Sequence, residues 1–222
     1  MEYLENNREY FLNHKDLCVE NGTISKSLYQ ELNVKAGLRD ENGKGVLAGL
    51  TNISEVKAFE YDNGQKRPCD GQLLYRGYSV EELISGSNGA KFAFEETAYL
   101  LIFGKLPTVQ ELNAFCEVLA EKRTMPSNFT RDVIMKAPSH DIMNSMTRSV
   151  LTLASYDKKA DDLSIENVLR QCVQLISVFP MLAIYGFHAY NHYECDESMY
   201  IHRPDSQLRI RGKWCSRDSS KN

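Results

Sequence analysis

The sequence is short of several things. In 222 residues it has one tryptophan and six prolines. Its six cysteines, Cys18, Cys69, Cys116, Cys172, Cys195 and Cys215, never come closer than 20 positions, so no Cys-x-x-Cys element exists. That spacing excludes zinc ribbons and dithiol redox motifs. It also suits unbridged thiols in a reducing compartment, so a cytoplasmic location is expected. Excess basic charge is missing too. With 26 Lys and Arg against 30 Asp and Glu, the net charge of −4 offers no field for nucleic acid or an anionic membrane. The start, Met1-Glu2-Tyr3-Leu4-Glu5, is acidic and lacks the apolar region of a signal peptide. No apolar run is uninterrupted. Cys172–Tyr190 comes nearest, but Gln174, Ser177, Pro180 and His188 break it. A membrane span needs about 20 mostly apolar residues, so a helix buried on most sides is expected there instead. Fixed-period repeats and Gly/Ser or Pro-rich linkers are absent as well.

What is there looks globular. Apolar residues make up 42% and charged residues 25%, and the length suits one large domain or two small ones. Helical spacing runs through Glu9–Glu20 and Ser27–Leu32, parted by Asn21-Gly22, a helix stop. Ser27 with Gln30 fits a capping box. Between residues 37 and 77 lie seven of the 13 glycines. Val46–Leu50, Val56–Tyr61 and Leu73–Arg76 are short strand candidates, and Asp62-Asn63-Gly64 is a hairpin turn. These are too few strands for an independent sheet domain. After Tyr78 the pattern is helical. Ser79 with Glu82 and Thr108 with Glu111 are capping boxes, and Gly104 stops the helix at Phe94–Phe103. Leu112, Phe115, Cys116 and Leu119 share one stripe, as do Ile142, Met146, Val150 and Leu153. Ser164 caps a last long helix, Ile165–His192, in which Pro180 predicts a kink. The expected fold is all-α with a small β-hairpin region near its start.

Residues 209–222 differ in character. Arg209, Arg211, Lys213, Arg217 and Lys221 stand against Asp218, so this stretch is +4 and the first 208 residues are −8. It reads either as a disordered basic tail or as a native frame lost near Leu208.

Candidate chemistry is thin. His188 and His192 share a helix face, but Ala189 stands where a zinc protease has its glutamate. Structural histidines near a helix end are the expected reading. Ser139-His140-Asp141 carries triad residue types, yet it reads as a helix start capped by Ser139 or Asp141. Gly43-Lys44-Gly45 lacks the frame of a phosphate loop. Asp161-Asp162 reads as the acidic lead-in to a helix N-terminus.

Several ordered blocks nevertheless form a resemblance. Gly45-Val46-Leu47-Ala48-Gly49-Leu50-Thr51-Asn52-Ile53 resembles an early strand segment of the citrate synthases. Gly71 to Leu83, with Tyr75-Arg76-Gly77-Tyr78 at its centre, is similar to that family's G-x-L-x-Y-R-G-Y-x-I-x-E-L. Phe94 to Pro107 resembles F-E-E-x-A-Y-L-L-x-x-G-x-L-P. Met143–Asp157 and Tyr200-Ile201-His202-Arg203-Pro204 are similar to later blocks. The likeness covers about residues 35–208.

The resemblance implies a mainly helical large domain plus a small domain, assembled as a homodimer through apolar helices. Its domain scheme is N-terminal helices over 1–36, a partial large domain over 37–208 with the β elaboration at 37–77, and a divergent basic tail over 209–222. The reaction it implies is condensation of acetyl-CoA with oxaloacetate to citrate, an acyl transfer of the tricarboxylic acid cycle with no permanently bound cofactor and no metal. In that chemistry an aspartate removes a methyl proton, histidines stabilise enolate and ketone oxygens, and arginines clamp the dicarboxylate. The family's histidine-rich strings for these roles, L-H-A-D-H, G-P-x-H-G and G-x-G-H-R, have no match here. No catalytic, substrate-binding, cofactor-binding or metal residue therefore carries over. The expectation is the front part of such an enzyme, inactive by itself. The alternatives are a 2-methylcitrate synthase fragment and a non-catalytic helical dimerisation module.

Overall fold

The computed structural model describes residues 7–32, 50–86 and 93–199. All but Leu50 of the strand candidate Val46–Leu50, Gly43-Lys44-Gly45, the block at 200–204 and the basic stretch 209–222 lie outside the described residues, and Leu50 is not in a strand.

Described elements run in the order α1 (Arg8–Gly22), α2 (Lys26–Glu31), β1 (Ser54–Asp62), β2 (Gln65–Tyr75), β3 (Tyr78–Ser79), α3 (Val80–Gly86), α4 (Ala93–Phe103), α5 (Val109–Glu121), a π-helical turn (Thr130–Met135), α6 (Ile142–Ala154) and α7 (Ile165–Glu194). The chain is mainly helical with one small antiparallel sheet, as its patterning predicts. It divides into two compact units. One comprises Met1–Lys15 with Val109–Asn222, the other Asp16–Thr108.

The second unit holds the sheet, ordered β1-β2-β3. Asn63 (φ 50°) and Gly64 (φ 78°) make the two-residue turn between β1 and β2, with Asp62 paired to Gln65. Positive φ at both central residues matches the right-handed twist of a hairpin. The ladder breaks between Lys57 and Phe59, and bulges of this kind bend and blunt edge strands. Leu73–Arg76 is corrected at its end. Arg76 (φ 51°) and Gly77 (φ 87°) are not strand but the tight turn from β2 to β3, where Tyr75 pairs with Tyr78. Ser79 and Glu82 cap α3 reciprocally: Ser79 Oγ accepts from the Glu81 amide and Glu82 Oε2 from the Ser79 amide. At α2 the expected capping box shifts. Ser25, not Ser27, supplies the hydroxyl, which accepts from the Ser27 amide, because the helix begins at Lys26 and places Ser27 inside its first turn. Gly104 (φ 78°) ends α4, with its amide donating to the Leu100 carbonyl. On α4, Tyr99, Leu100 and Phe103 are fully buried.

The first unit is built on α7. Ser164 caps it through the Asn167 amide, and Pro180 lies within its 30 residues. Its buried positions recur at three- and four-residue steps, from Leu169 through Val173, Ser177 and Met181 to Tyr185 and Ala189. Within Cys172–Tyr190 only Cys172, Phe179 and Phe187 are exposed, so this segment is covered on most sides, as expected. Along α7, Val168, Phe179, Phe187 and Tyr193 are 40–50% exposed. By length and composition α7 is also apolar enough to cross a membrane, with half of its apolar window buried in the fold. One core gathers Phe129, Ile134, Val178, Met181, Leu182, Tyr185 and Ala189, with Met146, Val150 and Leu153 of α6 packed against it. α6 starts as read, with Asp141 Oδ1 accepting from the Asn144 amide at 2.9 Å. Its deepest side chains are Ser145 and Ser149, and an added Cβ at Gly186 of α7 would stand 3.7 Å from Ser145 Cβ.

Candidate functional site

The most elaborate polar cluster lies where the loop after α6 meets the start of α7, all within the first unit. Asp157 and Arg170 form its centre. Arg170 Nη2 donates to Asp157 Oδ2 at 2.5 Å, and the two side chains are only 13% and 10% exposed. Arg170 Nε donates to Asn167 Oδ1 at 2.9 Å. Asn167 Nδ2 in turn donates to the carbonyls of Lys159 and Asp162, each at 2.8 Å. Gln171 Nε2 donates to Asp157 Oδ2 at 3.2 Å, and the Lys159 amide to Asp157 Oδ1 at 3.0 Å. The first two turns of α7 thus hold the loop by satisfying its backbone carbonyls. A pocket of about 290 Å³ opens beside them, lined in part by Arg8, Phe11, Asp157, Lys159, Asn167 and Arg170. At its rim the exposed Arg8 pairs at 3.4 Å with Glu166, whose side chain is 27% exposed.

Protonation follows from these contacts. Burial alone would raise Asp157, but the Arg170 hydrogen bond, the Lys159 amide and Gln171 outweigh it and hold the carboxyl below its ordinary range. A carboxylate so committed is a poor proton acceptor. Lys122, just beyond α5, is 1% exposed. Burial, then the Arg170 charge, lower it to about 8 against a weaker upward pull from Glu121. Its Nζ stands 5.7 Å from the centre of the Phe11 ring.

The sequence candidates stay structural where the residues are described. His192 donates from Nδ1 to the Glu197 carbonyl at 2.8 Å, closing the chain past the end of α7. His188 packs edge-on to Phe187. Among the described residues, no group of three His, Cys, Asp or Glu could hold a metal ion. Ser139 Oγ accepts from the Asp141 amide at 3.1 Å, and His140 is exposed. These three residues start α6 and do not form a catalytic array. Asp162 Oδ1 accepts from the Ser164 amide at 2.9 Å, which lowers its pKa. Asp161-Asp162 therefore serves as the lead-in to α7. Sequence reasoning missed Asp157 and Arg170, although Asp157 closes the block ending Ser155-Tyr156-Asp157. Their 13-residue separation belongs to no local motif.

Comparison with known proteins decides the ancestry. Residues 38–216 match the family model described as citrate synthase, C-terminal domain. The chain belongs to the citrate synthase family. Citrate synthase from Saccharolobus solfataricus is 33% identical over 114 residues, covering 51% of this chain and 28% of that protein. 2-Methylcitrate synthase 1 from Corynebacterium glutamicum is 39% identical over 71 residues, 32% of this chain and 15% of that protein. The chain thus spans less than a third of either curated relative. Among solved structures, citrate synthase from Pyrobaculum aerophilum superposes with a TM-score of 0.58 at 22% identity, over 80% of this chain and 43% of that one. Citrate synthase from Thermoplasma acidophilum, solved as a ternary complex with carboxymethyl coenzyme A and oxaloacetate, superposes with a TM-score of 0.51 at 21% identity, over 83% and 39%. At these identities the superpositions speak to the fold, and the fold is the mainly helical one expected.

Proposed function

We propose that this chain supplies scaffold for the condensation of acetyl-CoA with oxaloacetate and lacks that activity by itself. The supporting observation is a census. Of five histidines, His202 lies outside the described residues, His188 and His192 are accounted for at the end of α7, and His140 stands exposed beside the start of α6. His14 contacts the Tyr10 carbonyl one turn back in α1, at 2.7 Å. None sits in a family catalytic string, and the most buried described carboxylate of the pocket, Asp157, is bound to Arg170. The domain scheme of helices at 1–36, partial large domain at 37–208 and tail at 209–222 belongs to this proposal, as does a cytoplasmic setting. So does homodimerisation through apolar helices, for which α7 offers the exposed apolar side chains Val168, Phe179, Phe187 and Tyr193.

A second reading replaces acetyl-CoA by propionyl-CoA, favoured by the 39% identity to a 2-methylcitrate synthase. One assay tests the activity and the choice of thioester. Purified chain is incubated with oxaloacetate and either thioester, and thiol release is followed. No turnover above the blank is expected with either. Citrate formation overturns the inactive reading, and faster release from propionyl-CoA selects the second. Sedimentation velocity tests the surface: a concentration-independent monomer refutes dimerisation through α7.

A further inference from the structure

We infer that Arg76 clamps two helix C-termini, and that the arginine of Tyr75-Arg76-Gly77-Tyr78 is thereby withdrawn from anion binding. An arginine in a glycine-containing turn is an obvious candidate for a carboxylate or phosphate, because its planar fork matches both. Here the fork is already committed within the second unit. Nη1 donates to the Asn21 carbonyl at 2.7 Å and to Asn52 Oδ1 at 3.0 Å. Nη2 donates to the Leu101 carbonyl at 3.2 Å, so both terminal nitrogens are committed, while Nε is buried and has no hydrogen-bond partner.

The acceptors explain the arrangement. Asn21 is the last residue but one of α1, and Leu101 lies in the last turn of α4. Helix C-termini leave carbonyls without intrahelical partners and carry partial negative charge. One guanidinium therefore serves two such ends at once. Two amides reinforce it. Asn52 Nδ2 donates to the same Asn21 carbonyl at 2.7 Å, and Asn21 Nδ2 donates to the Phe103 carbonyl at 3.0 Å. Delivery depends on the turn. Arg76 adopts φ 51°, which is unfavourable for an L-residue, and its amide donates to the Ile53 carbonyl at 2.8 Å. A left-handed arginine with its charge on two helix ends is a fold element whose strain is offset by the bonds it makes.

Amide hydrogen exchange and urea unfolding of the full chain with R76A, R76K and N52A test the clamp. In R76A, protection of the Gly104 amide and of the last turn of α1 is expected to fall about tenfold or more, with α7 unchanged. R76K keeps the charge, but one ammonium cannot span three separated acceptors, so protection returns only in part. N52A removes one acceptor and one donor and gives a smaller loss at the same amides. Should R76A fail to fold, R76K and N52A carry the test. Wild-type protection at both helix ends in all three variants overturns the clamp. A saturable shift of the Arg76 Nε resonance on titration with inorganic phosphate or oxaloacetate overturns its withdrawal from anion binding.

Discussion

Replacing Asp157 by alanine should destabilise the first unit by about 2–3 kcal/mol. Exposed ion pairs contribute about 0–1 kcal/mol, whereas removing one partner of a fully buried pair costs about 3–5. Asp157 and Arg170 are 13% and 10% exposed, close to the buried limit but beside an open pocket. Arg170 would keep its bond to Asn167 Oδ1, which softens the loss. The Lys159 amide and Gln171 would lose their carboxylate acceptor, which adds to it. Hence a value at or just below the lower end of the buried range applies, about 2–3 kcal/mol. The assay is urea unfolding followed by far-UV circular dichroism for D157A, R170M and the double variant. A coupling energy of at least about 1.5 kcal/mol is expected, because the two groups share one network. The pH dependence has a definite sign. A carboxyl held below its unfolded value stabilises the fold at pH above that value, and the contribution is lost as pH falls through the folded pKa. Wild-type stability should therefore drop on acidification below about pH 4, and D157A should lose that component. Additive single variants, or an unchanged acid limb, refute the reasoning.

Three further outcomes follow from particular residues. Lys122 is lowered from 10.5 to about 8, so the unfolded chain binds more protons between those values. Stability should rise by at most about 3 kcal/mol across that window, and K122M should flatten the rise in a pH series of unfolding midpoints. Gly104 has φ 78°, and an added Cβ would meet Asn21 Cβ at 2.5 Å. G104A should cost about 2 kcal/mol or more in urea unfolding, because it combines left-handed strain with displacement of Asn21 from the Phe103 carbonyl. At Gly186 an added Cβ meets Ser145 at an ordinary 3.7 Å. G186A should thus stabilise α7 by about 0.5–1 kcal/mol, since glycine is a poor helix former, raising the thermal midpoint.

Much of the fold is readable along the chain because helix ends are chemically marked. Ser79, Asp141 and Ser164 stand where backbone amides lack partners, Gly22 and Gly104 lie at helix ends, and Asn63-Gly64 tolerates the φ values of a hairpin turn. Three features escape such reading. The choice of Ser25 over Ser27 depends on which residue enters the helix first, and both are serines. The π-helical turn at Thr130–Met135 has no cap hydroxyl of its own; Phe129 precedes it. Asp157, Arg170 and Lys122 lie far apart in sequence, and only packing brings them together. Arg76 is the sharpest case. Its family block is plain in the sequence, yet its role depends on carbonyls 55 and 25 positions away.

The seam between α6 and α7 has a mechanical meaning. Ser149 Oγ donates back to the Ser145 carbonyl, Thr152 Oγ1 to that of Arg148, and Ser177 Oγ to that of Val173, all at 2.8 Å. Each of these hydroxyls is satisfied by its own helix. At Gly186 the two helices meet through small side chains in ordinary van der Waals contact. Such a contact resists pulling apart, since that exposes the apolar core. Gliding along the axis breaks no bond from these hydroxyls. A shift of register along the longest helix is therefore opposed by shape, through the interlocking of Met146, Val150 and Leu153 with the core beneath them, and not by bonds from these hydroxyls.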